Sequence, residues 1–455
     1  SFDQLRQRGR DFVKTDPAAL KERTSSITPE DTATIIYTSG TTGLPKGSIL
    51  SHGGFAWTLE CLGQVLHFGE CEERVISYLP LSHVFERLAS EWGGIYFCFE
   101  VWFAESTEKL RENLKECKPT FFIGVPRVFE KFASAIQTRY KEHEKADTIA
   151  KALAAAMERV ELQQAGKPIP LQLKVKNALF DKLIFSKTRE EIGMEHCRFA
   201  VTGSAPVAPE VLKFIHAIGI DLVEAYGQTE TNAPTTVTPV GKSRIGTVGP
   251  PIPGIELKFD TDGEILVKGP NLFKGYLNDP AATAEAFTED GFLKTGDVGE
   301  LDEAGYLKIT DRKKDIIITA GGKNIAPQEI EAKLTLSPLL SQAVVIGDRR
   351  PYLTALLTLD PDAAMHWGKA FGVNVSDVRQ LARDPKVLAE VESVVEKVNA
   401  GLSQVEKIKK WTLLDTDFTQ EAEEITPTFK VKRKTINTKY AKEIEAMYSG
   451  TKSSA

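Results

Sequence analysis

Cysteine is scarce in this chain of 455 residues: there are five (Cys61, Cys71, Cys98, Cys117 and Cys197), with no C-x-x-C pair and no ligand spacing to the seven histidines. That excludes a disulfide framework and a structural zinc site, and predicts a reducing, cytoplasmic setting. An excess of positive charge is also lacking, since 57 basic residues face 63 acidic ones for a net charge of −6. A general nucleic-acid binder is thereby disfavoured, and no nucleic-acid partner is expected. No apolar run approaches the length of about 20 residues needed to span a bilayer. The opening Ser1-Phe2-Asp3-Gln4 carries no apolar core of a secretory leader. The expectation is a cytoplasmic protein for which peripheral membrane association stays open. Internal repeats and low-complexity tracts are missing as well.

What is present is an alternation of short apolar runs with longer helical patterns. Residues 1–30 are polar and partly helical and read as a connector. From 34 to 226 the candidate strands are 34–37, 74–79, 101–104, 120–125, 199–202 and 221–225, which implies an α/β domain with at least partly parallel sheet. The charged stretch 126–168, with its alanine cluster at 150–156, reads as a surface helical pair. After Thr247 the character changes to short strands punctuated by glycine and proline: 256–259, a hairpin turn at Asp262-Gly263, then 264–267. Strands at 298–301 and 306–310 flank a turn at 302–305. Asp311-Arg312-Lys313-Lys314-Asp315 is five consecutive charges, either a solvated turn or a hinge. Beyond it, strands at 316–319, 343–346 and 354–359 among helices predict a small α+β domain.

The chemistry gathers first at Thr38-Ser39-Gly40-Thr41-Thr42-Gly43-Leu44-Pro45-Lys46-Gly47. The run 34–37 reads as a buried strand delivering this loop, and a helical pattern begins near Ser51. Three glycines let backbone N–H groups approach an anion, and four hydroxyls and Lys46 add donors and positive charge, so the loop reads as a phosphate cradle. Its spacing differs from the common nucleotide loop, in which lysine follows glycine after a four-residue gap. The Gly-Lys-Ser at 241–243 lacks the earlier glycine, because Thr236 occupies that position.

Tyr226-Gly227-Gln228-Thr229-Glu230 closes the strand 221–225, at the edge where α/β sheets place ligands. A tyrosine ring can stack on a purine, a threonine hydroxyl can bond a phosphate oxygen, and a glutamate can hold Mg²⁺. Gly203-Ser204-Ala205-Pro206 follows another strand and offers small residues for close approach of a flat ring. In Thr295-Gly296-Asp297 the carboxylate can accept both hydroxyl protons of a ribose, and Arg312 can reach ribose or phosphate from the next strand end.

In this order, and with Lys430 last, these motifs resemble the adenylate-forming (AMP-binding) superfamily across nearly the whole chain. Within it, Leu79-Pro80-Leu81-Ser82-His83-Val84-Phe85-Glu86, Val125-Pro126-Arg127-Val128-Phe129, Lys182-Leu183-Ile184-Phe185-Ser186-Lys187 and Thr426-Pro427-Thr428-Phe429-Lys430-Val431-Lys432-Arg433 are similar to long-chain acyl-CoA synthetases. The resemblance implies a large N-terminal α/β domain with a β-rich subdomain over 1–310, a hinge at 311–315 with Lys314 at the family's pivot, and a small α+β domain over 316–455. It implies ATP-dependent activation of a long-chain fatty acid to acyl-AMP and transfer to coenzyme A, with ATP and Mg²⁺ required.

By the same resemblance, Lys46 contacts the β- and γ-phosphates, Thr229 the α-phosphate, Glu230 the Mg²⁺ and Asp297 the ribose. His83 lies near the acyl carboxylate, Gly321 near the pantetheine arm, and Lys430 acts in adenylation. Acyl-ACP synthetase and fatty acyl-AMP ligase share these motifs and differ in the acceptor. Family members carry a long portion before the phosphate loop, which here begins at residue 38. The expectation is therefore a large domain lacking its N-terminal portion, with a non-catalytic nucleotide- or acyl-binding fragment as the reading from another class.

Overall fold

The structure is a computed structural model and describes residues 1–38, 45–69, 72–373, 377–426 and 428–449. Residues Ser39, Gly40, Thr41, Thr42 and Gly43 of the predicted phosphate loop lie outside them, as does Pro427. The described flanks of that loop correct two expectations. Strand Thr32–Thr38 buries Ile36 but leaves Tyr37 62% exposed, so it is a half-covered strand and not a buried one. It does not lead directly to a helix either. Lys46–Ser51 is a second strand, antiparallel to the first, with Thr38 opposite Lys46. The helix His52–Leu66 follows, its start capped by the Ser51 hydroxyl. The sequence Lys46-Gly47-Ser48-Ile49-Leu50-Ser51 hides this strand, because its apolar residues are few and its glycine is atypical of strands.

The central sheet is built from Phe121–Gly124, Phe199–Gly203 and Leu222–Gln228 in parallel, with Ala233–Val237 returning antiparallel to the last. Helices cover both faces, as a largely buried parallel sheet requires. On one side Phe122, Ala200 and Leu222 meet Leu212 and Ile215 of helix Pro209–Ala217, and Phe129 and Ala133 of helix Pro126–Glu142. The expected surface helical pair is observed as Pro126–Glu142 and Ala146–Gln164. Its alanine cluster is divided between core and surface, since Ala152, Ala155 and Ala156 are buried whereas Ala150 and Ala154 are exposed. On the other side Phe121, Phe199, Val201 and Val223 pack against Phe55, Leu59 and Leu62 of helix His52–Leu66.

The strand expected at 221–225 runs on to Gln228, which places Tyr226 inside the sheet and not after it. The β-rich region forms an antiparallel sheet in the order Leu307–Arg312, Leu293–Leu301, Glu264–Lys268, Glu256–Phe259. The five charges at 311–315 are not a free solvated turn. Asp311 and Arg312 end a strand opposite Val298 and Asp297, and Lys313 pairs with both Asp262 and Glu264. From Ile317 onward the described residues form their own cores around the sheet Leu340–Ile346, Leu353–Leu359, Ile408–Leu413.

Candidate active site

Between these bodies lies a cleft of about 2490 Å³, bounded by the C-terminal ends of the parallel strands, the antiparallel sheet and the segment around Lys430. Open α/β sheets bind ligands at this end of their strands. Thr38, Lys46, His83, Gly203, Ser204, Ala205, Pro206, Tyr226, Gly227, Thr229, Glu230, Asp297, Arg312 and Lys430 all border it. Gly321 does not. It sits in the exposed turn between the short strands Ile317–Ile318 and Asn324–Ile325, so this arrangement does not bring it to the other site residues.

Lys46 opens its strand with its ammonium 4.9 Å from the centre of the Tyr276 ring, a cation–π contact. The Tyr276 hydroxyl in turn donates to Glu230 Oε1 at 2.9 Å. Strand pairing explains this, since Gly275–Tyr276 adds to the edge of Lys46–Ser51. Glu230 is fixed through its carbonyl, which accepts from the Phe273 N–H at 2.8 Å. Thr229, beside it, is buried at the start of the turn Thr229–Thr231.

Asp297 is buried, and Tyr226 Oη and Gln228 Nε2 both donate to its Oδ2, at 2.9 and 2.7 Å. Arg312, its strand partner, lies 3.4 Å from its Oδ1. Burial raises the Asp297 carboxyl, and the Arg312 charge works against that shift. The Tyr226 ring is itself buried among Ile265, Val267 and Leu307. Gly227 answers to the hairpin it sits in: a Cβ there would lie 1.6 Å from the Ala233 carbonyl oxygen.

His83 starts a helical turn, and its Nδ1 accepts from the Phe85 N–H at 3.3 Å. Burial, then the Lys430 charge, pushes its pKa down to about 4, so the ring is neutral at pH 7 with its proton on Nε2. Lys430 is held in a tight turn, its N–H donating to Thr426 Oγ1 at 3.0 Å and its carbonyl accepting from the Thr426 N–H at 2.8 Å. Burial first, then the Arg312 charge, pushes its ammonium down to about 8, with Asp297 and Asp315 acting in the opposite direction. Lys430 is thus a half-buried residue of the cleft wall, although it stands in a basic run with Lys432, Arg433 and Lys434.

Two cleft residues carried no role in the sequence reading. Glu224, beside Thr202 in the parallel sheet, has its carboxyl pushed up to about 8 by burial, which favours its protonated form at neutral pH. Gln228 bridges Asp297 and the Thr295 carbonyl. Both lie at even spacing from Tyr226 along one strand, so the period-two rule could have found them. The cleft also has an apolar arm walled by Leu59, Leu62, Leu66, Phe97, Phe121 and Ile123.

Residues 3–277 match the family model described as AMP-binding enzyme, and residues 314–452 match the AMP-binding enzyme C-terminal domain. The chain belongs to the AMP-binding enzyme family. It is 40% identical over 457 aligned positions to the long-chain-fatty-acid–CoA ligase FadD15 of Mycobacterium bovis, covering 99% of this chain and 74% of that protein. The long-chain-fatty-acid–CoA ligase ACSBG2 of Xenopus laevis is 34% identical, over 98% of this chain and 64% of its own length. Among solved structures, the adenylation domain of a carboxylate reductase from Mycobacterium chelonae superposes with a TM-score of 0.68 at 25% identity. That match covers 92% of this chain and 60% of the other. The AMP-binding chain thus has the adenylate-forming fold, with a large N-terminal and a small C-terminal domain.

Proposed function

We propose that this AMP-binding enzyme activates a long-chain fatty acid with ATP and transfers the acyl group to coenzyme A. The carrying observation is one continuous cleft that joins Lys46, Glu230, Asp297 and Lys430 to an apolar arm walled by Leu59 and Phe121. The relatives' printed names, long-chain-fatty-acid–CoA ligase, support the same reading. In the first step a carboxylate oxygen of the fatty acid bonds to the α-phosphorus, the bond to the bridging oxygen breaks, and pyrophosphate leaves. In the second the CoA thiol adds to the acyl carbon, loses its proton, and AMP leaves.

Two anions meet in the first step, so lowering the barrier depends on positive charge and fixed donors. Lys46 serves the β- and γ-phosphates, Thr229 the α-phosphate, and Lys430 the attacking carboxylate and α-phosphate together. Neutral His83 donates from Nε2 to the fatty-acid carboxylate. Asp297 and Arg312 serve the ribose, while Tyr226 and the segment 203–206 form walls for the base. Glu230 fits a Mg²⁺ site, since Tyr276 engages one carboxylate oxygen and a single carboxylate plus substrate phosphates is an ordinary Mg²⁺ donor set. When bound, that ion supplies positive charge to the phosphate oxygens. Separate cores on either side of the charged stretch support a division into 1–310, a pivot at 311–315 that includes Lys314, and 316–455. Rotation about that pivot would carry Gly321 to the pantetheine arm for the second step.

The test supplies ATP, Mg²⁺, CoA and fatty acids of graded length and measures AMP, pyrophosphate and acyl-CoA. AMP and acyl-CoA in equal amounts are expected, with kcat/KM rising from acetate to palmitate because each buried CH₂ contributes about 0.8 kcal/mol. Release of ADP, or equal kcat/KM for acetate and palmitate, overturns the reading.

A further inference from the structure

The segment Lys182-Leu183-Ile184-Phe185-Ser186-Lys187 takes no part in the cleft. It continues the helix Leu171–Phe180 through a wide turn, Asp181–Phe185. The inner face of this element is anchored: Leu173, Asn177 and Phe185 are buried, and Asn177 Nδ2 donates to the Ala155 carbonyl of the neighbouring helix at 3.1 Å. The outer face is unusual. Leu171, Val175, Leu179 and Leu183 recur every fourth residue and are 75%, 63%, 55% and 54% exposed. Single exposed aliphatics are ordinary, but a stripe of four along one helix face is not.

Lys167, Lys174, Lys176, Lys182 and Lys187 are all exposed around the stripe. Asp181, the one acidic residue within 167–187, is held by Arg189 at 2.7 Å. The patch is thus positive on a chain whose net charge is −6. We propose that this stripe docks on an anionic lipid surface, the leucines entering the headgroup boundary and the lysines meeting lipid phosphates. Charge selects this occupant. A second copy docking by the same face would set lysines against lysines, whereas an anionic bilayer complements both the apolar stripe and its rim.

The experiment is flotation of the whole chain with phosphatidylcholine vesicles, with and without phosphatidylglycerol. It is read without ATP, CoA or fatty acid, so it stands or falls separately from the ligase reading. Binding only to the phosphatidylglycerol vesicles, and weakening with salt, is expected. The double variants Leu179→Ser/Leu183→Ser and Lys174→Glu/Lys176→Glu should each partition about tenfold more weakly, with unchanged thermal melting. The proposal is overturned if the wild-type chain does not bind, or if both variants bind as it does. It is also overturned if the leucine variant converts a dimer to a monomer in light scattering, which would assign the face to a second copy.

Discussion

Arg127, on helix Pro126–Glu142, donates from Nη2 to Asp360 Oδ2 and to Ser341 Oγ, each at 3.2 Å. Asp360 and Ser341 belong to the C-terminal body, so this side chain ties the two halves of the cleft together in the arrangement that seats Lys430. Arg127 and Asp360 are both largely shielded from solvent, with side-chain exposures of 15% and 14%, which lifts the pair above an ordinary surface salt bridge.

Arg127→Ala should therefore slow the first half-reaction about tenfold, equivalent to about 1.4 kcal/mol. The second half-reaction, started from supplied acyl-AMP and CoA, should not slow. Pyrophosphate exchange and thioester formation measured side by side check this, and undiminished exchange would remove the latch from the account.

Lys430→Ala should remove about 3 kcal/mol of transition-state stabilisation from adenylation, a loss of about a hundredfold or more. Thioester formation from acyl-AMP should change little, because the C-terminal body is expected to rotate before that step. Equal losses in both half-reactions would mark Lys430 as a general nucleotide-binding or structural residue.

The lowered Lys430 pKa makes two pH predictions. Its charge is needed in adenylation, so that rate should fall as pH rises through about 8, and Lys430→Met should lack this limb. Stability moves the other way. Between about 8 and the ordinary value of 10.5 the folded chain binds fewer protons than the unfolded one, so stability should rise with pH across this window. Thermal melts of the wild-type and Met variants over that range read the difference.

Glu230→Gln should weaken the Mg²⁺ dependence of pyrophosphate release while leaving the melting temperature nearly unchanged. The carboxamide keeps an acceptor for Tyr276 but has no negative charge for a hard cation. An unaltered Mg²⁺ titration would take the ion away from Glu230.

Gly227→Ala should destabilise the fold and not merely weaken nucleotide binding. Its Cβ would overlap the Ala233 carbonyl, a backbone atom that cannot swing aside, so a cost of about 1–3 kcal/mol is expected. A variant with normal melting and a raised KM for ATP would instead assign Gly227 to nucleotide binding.

These cases show what was legible in the chain and why the rest was not. Strands such as 256–259 and 264–267 were read nearly to the residue, because alternation and an Asp-Gly turn are local signals. The strand Lys46–Ser51 was missed because its stability comes from partners on both sides, Thr32–Thr38 and Gly275–Tyr276. Among candidate site residues, Asp297 and Arg312 were named singly, but their pairing across a hairpin is a matter of register. Arg127 was quoted within a motif yet given no role, since Asp360 lies far along the sequence and nothing local announces the contact.

The Tyr276 ring between Lys46 and Glu230 has a consequence for the resting site. Opposite charges placed in one pocket ordinarily collapse onto each other, and an incoming substrate must then pull them apart. Here the aromatic face occupies the lysine and the phenol occupies one oxygen of the glutamate, and among the described residues neither makes an ion pair. The cation and the anion are insulated from mutual cancellation by a neutral group that touches both. A nucleotide bearing negative phosphates and its counter-cation would thus meet two complementary charges already apart, and no internal salt bridge has to be broken on entry.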